Sequence, residues 1–417
     1  MKKTYKKILK CRLCKNQIKK EIELPNTAIG NDLKNSIHKS LNIQEYPLAV
    51  NRCVVCNHFQ LGISVKPEIL YKKNYTYLSG IGKDFIKHLK IYVDWIEKKL
   101  KLKKNDLIID VGSNDGTCLS FFQKKKLRVC GVDPAKLPSK ISNDRGVLCI
   151  NSFFNEKVVL KIIKEHGRPK LITSHNVLAH IENIRTTFIL IYKLLQPEGY
   201  LCFEIGYFVK VLKRNNFDTI YHEHLDYHTA KPLVKFLNSI GFSIEKLSVN
   251  SIQGGSLRVL ARKHHIVKNK LNVKKFILNE RRFLRNNYLI NSFKKNLYNN
   301  INNIKRFINS NKIRDKVIIG YGAPTKAALF CKIFNLNSNI IKFTLEDNPL
   351  KTNKYIPSTD IKIIKYKKSI LNKVDYIFLF AWNFKDIITE KIKKDVGRKR
   401  NLSIIIPNPK LHTKKIC

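Results

Sequence analysis

The sequence predicts an α/β protein in three parts, and three observations predict it. Apolar, strand-like runs alternate with helical stretches twice along the chain; two CxxC pairs precede the first alternation; a Lys/Asn-rich helical stretch separates it from the second. Strands alternating with crossover helices imply parallel sheets. At 417 residues the chain is too long for one ordinary core, so two or three domains are expected. The expected boundaries are 1–70 for a zinc-binding domain, 71–265 for a cofactor domain, 266–314 for connecting helices and 315–417 for a C-terminal α/β domain.

Residues 1–70 hold CRLC (11–14) and CVVC (53–56) with a loop-like stretch between them. Each pair puts two thiolates on a tight turn, a spacing suited to one tetrahedral Zn²⁺, so Cys11, Cys14, Cys53 and Cys56 are the expected ligands. A redox role would need only one pair; four free or buried cysteines are the plainer alternative. The intervening loop is longer than in compact zinc ribbons. Such a closed four-sulfur site is structural and holds a small domain that lacks a core. Cys118, Cys130, Cys149, Cys202, Cys331 and Cys417 are scattered, several in apolar runs, and read as buried thiols. Without a secretion signal no disulfide framework is expected.

Next, GKDFIKHLKIYVDWIEKKL (82–100) spaces its apolar residues as a helix does. Strands follow at LIIDVG (107–112), LRVCGVD (127–133), LITSHNV (171–177) and YLCFEIG (200–206). Residues 268–313 lack Gly and Pro and read as one or two long helices whose charges form a solvated face. The second alternation runs through KVIIGYGAPTKAALF (316–330), IIKFTLEDNP (340–349), DYIFLFAW (375–382) and LSIIIPNP (402–409).

The formal net charge of +49 suggests nucleic acid as a partner. The lysines, however, are spread evenly among Asn and Ile, the residues that AT-rich codons encode. Compositional bias therefore explains much of the charge, and nucleic acid is not the expected partner. A positive field would also attract a phosphorylated or nucleotide-linked small substrate. No run of about 18 apolar residues predicts a membrane span. The start, MKKTYKKILKCRLCK, has no apolar h-region, so no signal peptide is expected. A cytoplasmic monomer is the default.

LIIDVGSNDGTCLSFF (107–122) is a buried strand, a glycine turn and an apolar helix. Gly112 and Gly116 let backbone approach a ligand, and the helix offers free N–H groups. G-S-N-D-G is neither GxGxxG nor GxxxxGK, so a nucleoside without a pyrophosphate fits better. Asp110 ends the first strand and can order the loop. Asp133, in GVDP, sits where an acidic group can bind ribose hydroxyls.

D-V-G-S-N-D-G-T with G-V-D-P resembles the S-adenosylmethionine site of class I methyltransferases. GSNDGT with the two CxxC pairs, NVLAHI (176–181), YHEH (221–224), QGGSLRV (253–259) and GYGAPTK (320–326) resembles the sugar C-methyltransferases, in order and over essentially the whole chain. Those enzymes methylate keto-deoxysugars linked to a nucleotide. The resemblance implies a zinc domain, a Rossmann-like cofactor domain and a second Rossmann-like domain that helps hold the nucleotide-sugar. It implies S-adenosylmethionine and structural Zn²⁺ as cofactors. Asp110, Gly112, Asn114, Asp115, Gly116, Asp133 and Asn176 are then the cofactor set.

FDTIYHEHLDYHT (217–229) is the densest polar cluster. By the resemblance it lies beside the methyl donor. Forming a carbon–carbon bond next to a ketone requires loss of an α-proton, hence a base and donors for the enolate oxygen. His224 is the expected base, with Glu223 orienting it or the substrate. Tyr221 and His180 are candidates for enolate stabilisation. The resemblance also brings in a tyrosine of YTY (75–77), Tyr75 ahead of Tyr77. On an extended segment Tyr221 and His224 would face opposite ways; a loop removes that objection. A metal on His222, His224 and Asp226 and a purely structural polar loop are the alternatives.

Ser256 and Arg258 in QGGSLRV either contact substrate or form a turn into a strand. Lys326 either meets a phosphate at a helix start or belongs to a fold kept for packing. Two rival functions stand beside sugar methylation. A nucleic-acid methyltransferase would usually carry NPPF or DPPY where this chain has HNVLAH. A non-catalytic scaffold would not need the intact cofactor loop beside YHEH.

Overall fold

The computed structural model describes residues 4–72, 78–264, 266–396 and 401–416. Its contacts form two compact units, each threaded from three segments. The first gathers 1–19, 51–210 and 223–285; the second gathers 20–50, 211–222 and 286–417. The 1–70 stretch is thereby shared between them. Long-range hydrogen bonds that no local pattern announces are the cause. Within the second unit Ser40 Oγ–H donates to Ile356 O at 2.9 Å, and Tyr355 N–H to Lys34 O at 2.7 Å.

The first unit is built on a seven-stranded sheet. Its strands are β1 (Leu107–Val111), β2 (Arg128–Asp133), β3 (Cys149–Asn151), β4 (Leu171–His175), β5 (Tyr200–Gly206), β6 (Phe242–Asn250) and β7 (Ser256–Lys263). The order is β6-β7-β5-β4-β1-β2-β3. β1 pairs parallel with β2 and β4, β2 with β3, and β4 with β5; β7 runs antiparallel to β5 and β6. All of β1 is buried, as its unbroken apolar run requires of a central strand covered on both faces. The helix Lys83–Leu100 buries Leu89, Tyr92, Val93 and Ile96, one stripe at helical spacing, against a core that includes Leu119 and Phe122. Chain order reverses at β1, and in such sheets ligands bind outside the strand ends at that point. The GSNDGT loop leaves the sheet there.

The second unit carries another seven-stranded sheet. Its strands are β8 (Ile318–Tyr321), β9 (Phe343–Glu346), β10 (Lys354–Tyr355), β11 (Lys362–Lys365), β12 (Tyr376–Leu379), β13 (Ser403–Ile406) and β14 (His412–Lys415). Five strands, in the order β11-β9-β8-β12-β13, pair parallel, and the edge strands β10 and β14 are antiparallel. The fold class is therefore α/β with two Rossmann-like sheets, as the two alternations predicted.

The Lys/Asn-rich stretch is two helices, Leu271–Leu284 and Tyr288–Ile308, broken where Asn286 and Asn287 take left-handed backbone (φ 55° and 57°). One charge on the first of them is not solvated. Glu280 is buried and accepts from Tyr207 O–H (2.9 Å), Ala230 N–H (2.6 Å) and Lys231 N–H (3.1 Å). It caps the helix Ala230–Asn238, whose first N–H groups lack helical partners. Burial pushes its carboxyl up, against those hydrogen bonds. Among the described residues no helix is long and apolar enough to cross a membrane.

Replacing Glu280 by Ala strands the buried N–H of Ala230, the N–H of Lys231 and the buried phenol of Tyr207. Unfolding free energy should fall by about 1–3 kcal/mol, the usual cost of orphaned buried donors. Urea titration read by circular dichroism measures it; an unchanged midpoint would mean that the cap adds nothing.

Candidate active site

The two CxxC turns come together. Cys11 and Cys56 lie 3.6 Å apart sulfur to sulfur, Cys14 and Cys53 lie 3.5 Å apart, and all four sulfurs fall within 4.8 Å of one another. A tetrahedron with metal–sulfur bonds of about 2.3 Å has edges of roughly 3.8 Å, so the donor set fits Zn²⁺. Each turn closes on a left-handed residue, Lys15 (φ 66°) or Asn57 (φ 62°), whose N–H bonds back to the first cysteine's carbonyl. The hydrogen bond with the Cys56 thiol pulls the Cys11 pKa down to about 4. Among the described residues this is the one such His/Cys/Asp/Glu grouping, which leaves the His222–His224–Asp226 alternative without a cluster.

The cofactor loop is braced from behind. Asp133, at the end of β2, accepts from Asn114 N–H (2.9 Å) and Ala135 N–H (2.8 Å), and Gly112 N–H donates to Val132 O at 2.8 Å. Burial pushes the Asp133 carboxyl up, against those N–H groups. Gly112 has φ +77°, and a Cβ there would lie 2.3 Å from Val177 Cγ2; Gly116 has φ +74°, with Ser142 Oγ at 2.4 Å. Asn114 and Asp115 accept from Ser79 and Gly80 N–H, each at 2.8 Å. Among the described residues, the buried polar atoms without a protein partner include two of the expected cofactor set, Asp110 Oδ1 and Asn176 Nδ2. Burial, and then Asp133, push the Asp110 carboxyl well up. An acceptor and an amide donor left open beside a glycine cradle fit a ligand carrying both donors and acceptors, as S-adenosylmethionine does.

YHEH is a turn, not a strand, so the alternation objection lapses. His222 is buried, with Nε2 3.3 Å from Pro47 O and its ring 5.7 Å from that of Tyr46. Burial pushes its pKa down to about 4. Glu223 is buried, whereas Tyr221 and His224 are half-buried. His180 and His224 meet with ring centroids 4.8 Å apart. His180 Nδ1–H donates to Glu223 O at 2.6 Å, and Tyr71 O–H donates to the same carbonyl at 3.4 Å. Because a carbonyl only accepts, that bond puts the proton on Nδ1 and leaves Nε2 as an acceptor in the neutral ring. Burial lowers the His180 pKa, against the carbonyls of Glu223 and Asn176. Donation from Nε2 to an oxyanion would thus require an imidazolium that burial disfavours. Tyr75, with Tyr77, lies outside the described residues.

Three groups that the sequence did not single out as partners stand around these segments. Tyr71 sets its ring edge-on to His180 at 6.4 Å; its place just before YTY was the available signal. Arg12 Nε donates to Asp226 Oδ1 at 2.9 Å, and His58 Nε2 lies 2.8 Å from the same oxygen. Burial alone would push the Asp226 carboxyl up, but Arg12 and His58 hold it well below the usual range. Oδ1 of Asp226 is thereby committed to protein partners, whereas its buried Oδ2 has none among the described residues. Glu204 is a second buried acid. Arg258 Nε (2.6 Å) and Asn250 Nδ2 (2.9 Å) donate to one oxygen; His88 Nε2 (2.7 Å) and His175 Nδ1 (3.4 Å) approach the other. Burial is again outweighed, here by the histidines and Arg258, and the carboxyl lies far below its usual range. Arg258 is thus a brace on Glu204, whose backbone carbonyl accepts the Asn176 N–H at 2.8 Å.

In the second unit the GYGAPTK turn is filled by its own chain. Lys326 Nζ donates to buried Asp218 Oδ2 at 2.5 Å and lies 4.6 Å from the Trp382 ring centre. Trp382 Nε1–H (2.6 Å) and Asn408 Nδ2–H (2.9 Å) complete the Asp218 shell.

Three family models match the chain in order: "Putative zinc binding domain" over residues 11–71, "Methyltransferase domain" over 86–247 and "C-methyltransferase C-terminal domain" over 251–409. The chain is 29% identical over 370 residues to C-methyltransferase NovU of Streptomyces niveus, spanning 88% of this chain and 87% of that protein. Among solved structures it is similar to magnesium protoporphyrin IX methyltransferase (ChlM) from Synechocystis PCC 6803 with bound SAM. That match has 14% identity, 43% of this chain, 79% of that one and a TM-score of 0.32.

Serine at Cys11 and Cys53 removes one ligand from each turn, and zinc should leave the protein. Elemental analysis checks this, and retained metal would refute the site. His222 is neutral in the fold at pH values where the unfolded chain protonates it. Stability should therefore be constant above about pH 6.5 and fall as pH drops toward 4, by up to about 3 kcal/mol. Equilibrium unfolding of wild type and His222→Gln against pH measures it: the variant should lose less over that window, and parallel curves would remove His222 as the cause.

Proposed function

We propose that this chain, which belongs to the S-adenosylmethionine-dependent C-methyltransferases with a zinc-binding N-terminal domain, methylates the carbon next to the ketone of a nucleotide-linked keto-deoxysugar. The observation that carries this reading is the His180–His224 pair, 4.8 Å apart with Glu223 beside it. A second support is the similarity to a protein described as a C-methyltransferase. Carbon is the acceptor that needs a base, because an α-proton must be removed before the carbon becomes nucleophilic.

His224 takes the α-proton of the keto sugar. Glu223, buried one residue away, orients His224 or the sugar. Tyr221 donates to the developing enolate oxygen, and Tyr75 has the same role by resemblance. His180 holds the Glu223 carbonyl with its Nδ1–H, which sets the turn on which His224 stands. Asp110, Gly112, Asn114, Asp115, Gly116, Asp133 and Asn176 form the cradle for S-adenosylmethionine, which supplies an electrophilic methyl group when bound. The remaining catalysis is alignment, which can be worth orders of magnitude in rate. By domain, 1–70 binds zinc, 71–265 carries cofactor and base, 266–314 connects, and 315–417 helps hold the nucleotide. The reaction belongs in the cytoplasm, with a dTDP-linked or related sugar as partner.

The decisive experiment is mass spectrometry of purified protein with S-adenosylmethionine and a panel of dTDP- and CDP-linked 4-keto-deoxysugars, with DNA and RNA in parallel. One sugar should gain a methyl group on carbon. His224→Ala should abolish that turnover while S-adenosylmethionine still binds by calorimetry. Full turnover in the variant would remove His224 as base, and methylation of nucleic acid alone would replace the sugar reading.

A further inference from the structure

We infer that Arg12, set between the zinc-binding cysteines of CRLC, is the positioning residue that ties the zinc site to both histidine-bearing segments. The inference rests on the reading of His180 and His224 as the working pair. Arg12 Nη2 donates to the carbonyl of Ile181, the residue after His180, at 2.5 Å. Its Nε donates to Asp226 Oδ1, two residues after His224, at 2.9 Å. Its backbone N–H donates to Gln60 Oε1 at 2.7 Å, and Gln60 sits opposite Asp226 in a short antiparallel pair. Arg12 is 6% exposed and Asp226 3%. The two side-chain bonds span 169 and 214 residues of sequence.

Geometry explains why an arginine stands there. Its guanidinium is a flat fork whose N–H groups diverge, so one side chain can serve a carbonyl and a carboxylate at once; a lysine offers a single charged point. The two histidine segments already share one carbonyl, Ala179 O, which accepts from Leu225 N–H (3.0 Å) and Asp226 N–H (3.1 Å). Arg12 adds a second tie between them from the zinc side. The other CxxC turn converges on the same point, because His58, two residues after Cys56, meets the same Asp226 oxygen at 2.8 Å. Arg185 Nη2, from the segment following His180, returns a hydrogen bond to Leu13 O inside CRLC at 2.8 Å.

Merely holding a small domain together would need none of these bonds. A turn with a cysteine at each end is fixed when its sulfurs are held, and Arg12 is carried on that turn. The zinc site is therefore a fixed post from which the spacing of His180 and His224 is set.

The test uses full-length, zinc-loaded protein and the variant Arg12→Lys, which keeps the charge and loses the fork. Zinc content by elemental analysis and S-adenosylmethionine affinity by calorimetry should match wild type. With the accepted sugar, kcat should fall about 10–100-fold, the scale of a small misplacement of reacting groups, while KM for the sugar changes less than about threefold. Histidine-selective ¹³C NMR should show the His180 and His224 resonances displaced. Wild-type kcat with unmoved resonances would overturn the inference. If Arg12→Lys loses zinc, Asp226→Asn decides instead: it leaves the turn and its cysteines intact and weakens the same link, so wild-type kcat in that variant overturns it. If wild-type protein methylates no sugar, the proposed reaction fails on its own. The resonances still judge Arg12, because unmoved signals refute the tie and displaced signals uphold it.

Discussion

One buried carboxylate, that of Asp226, links the two CxxC turns to the YHEH segment. Burying an ionised carboxylate costs several kcal/mol even after relaxation, and a partner repays this only with good geometry. Here the partners are Arg12 and His58, one from each CxxC turn. Neither can reach Asp226 unless its turn is folded. Such pairs add little net stability; in the role proposed for Arg12, this one helps fix the arrangement of the segments it joins. Removing Arg12 would leave the buried Asp226 charge with His58 as its one remaining partner among the described residues, at a cost in stability.

The same device recurs at the ends of the central strands. Asp133 ends β2 and accepts the N–H of Asn114; Glu346 ends β9 and accepts the N–H of Ala323 at 2.7 Å. In each case a glycine N–H bonds to the carbonyl just before the acid, Gly112 to Val132 and Gly322 to Leu345. The turns diverge in what remains open. The first leaves Asp110 Oδ1 and Asn176 Nδ2 without protein partners. Beyond the second, Asp218 takes up Lys326. An acid at a strand end is thus a brace for the glycine turn first, and a ligand contact through the lone pairs that remain.

What could be read from the sequence was what depends on neighbours within a few residues. The cysteine pairs, the glycine turn after an apolar strand and the helical stripe of 82–100 all have local signatures. The density of YHEH singled out a candidate stretch but not its shape, because a turn and a strand use the same polar residues. Arg12 and Glu204, and the role of Asp226 as a partner of Arg12 rather than a metal ligand, stayed hidden for a physical reason. Their burial is tolerable only because of partners that lie far off along the chain, and nothing in CRLC distinguishes a buried arginine from a solvated one. The threading of each unit from three segments was hidden likewise, since it rests on contacts such as Ser40 with Ile356.

The hydrogen bond from His180 to the Glu223 carbonyl bears on the division of labour between the two imidazoles. A neutral ring with its proton on Nδ1 presents only a lone pair at Nε2, and burial keeps it neutral. Two such rings at 4.8 Å would repel each other if both were charged, so in the proposed reaction a proton on His224 would be best received beside a His180 that stays uncharged. In that proposal His180 would serve by staying uncharged. Its Nδ1–H anchors the turn; in the proposed reaction its neutrality would leave room for the charge that His224 acquires, and donation to the enolate oxygen would fall to tyrosine. The low His180 pKa and the Asp226 clamp then have complementary effects, one governing where charge can develop and the other where the two rings stand.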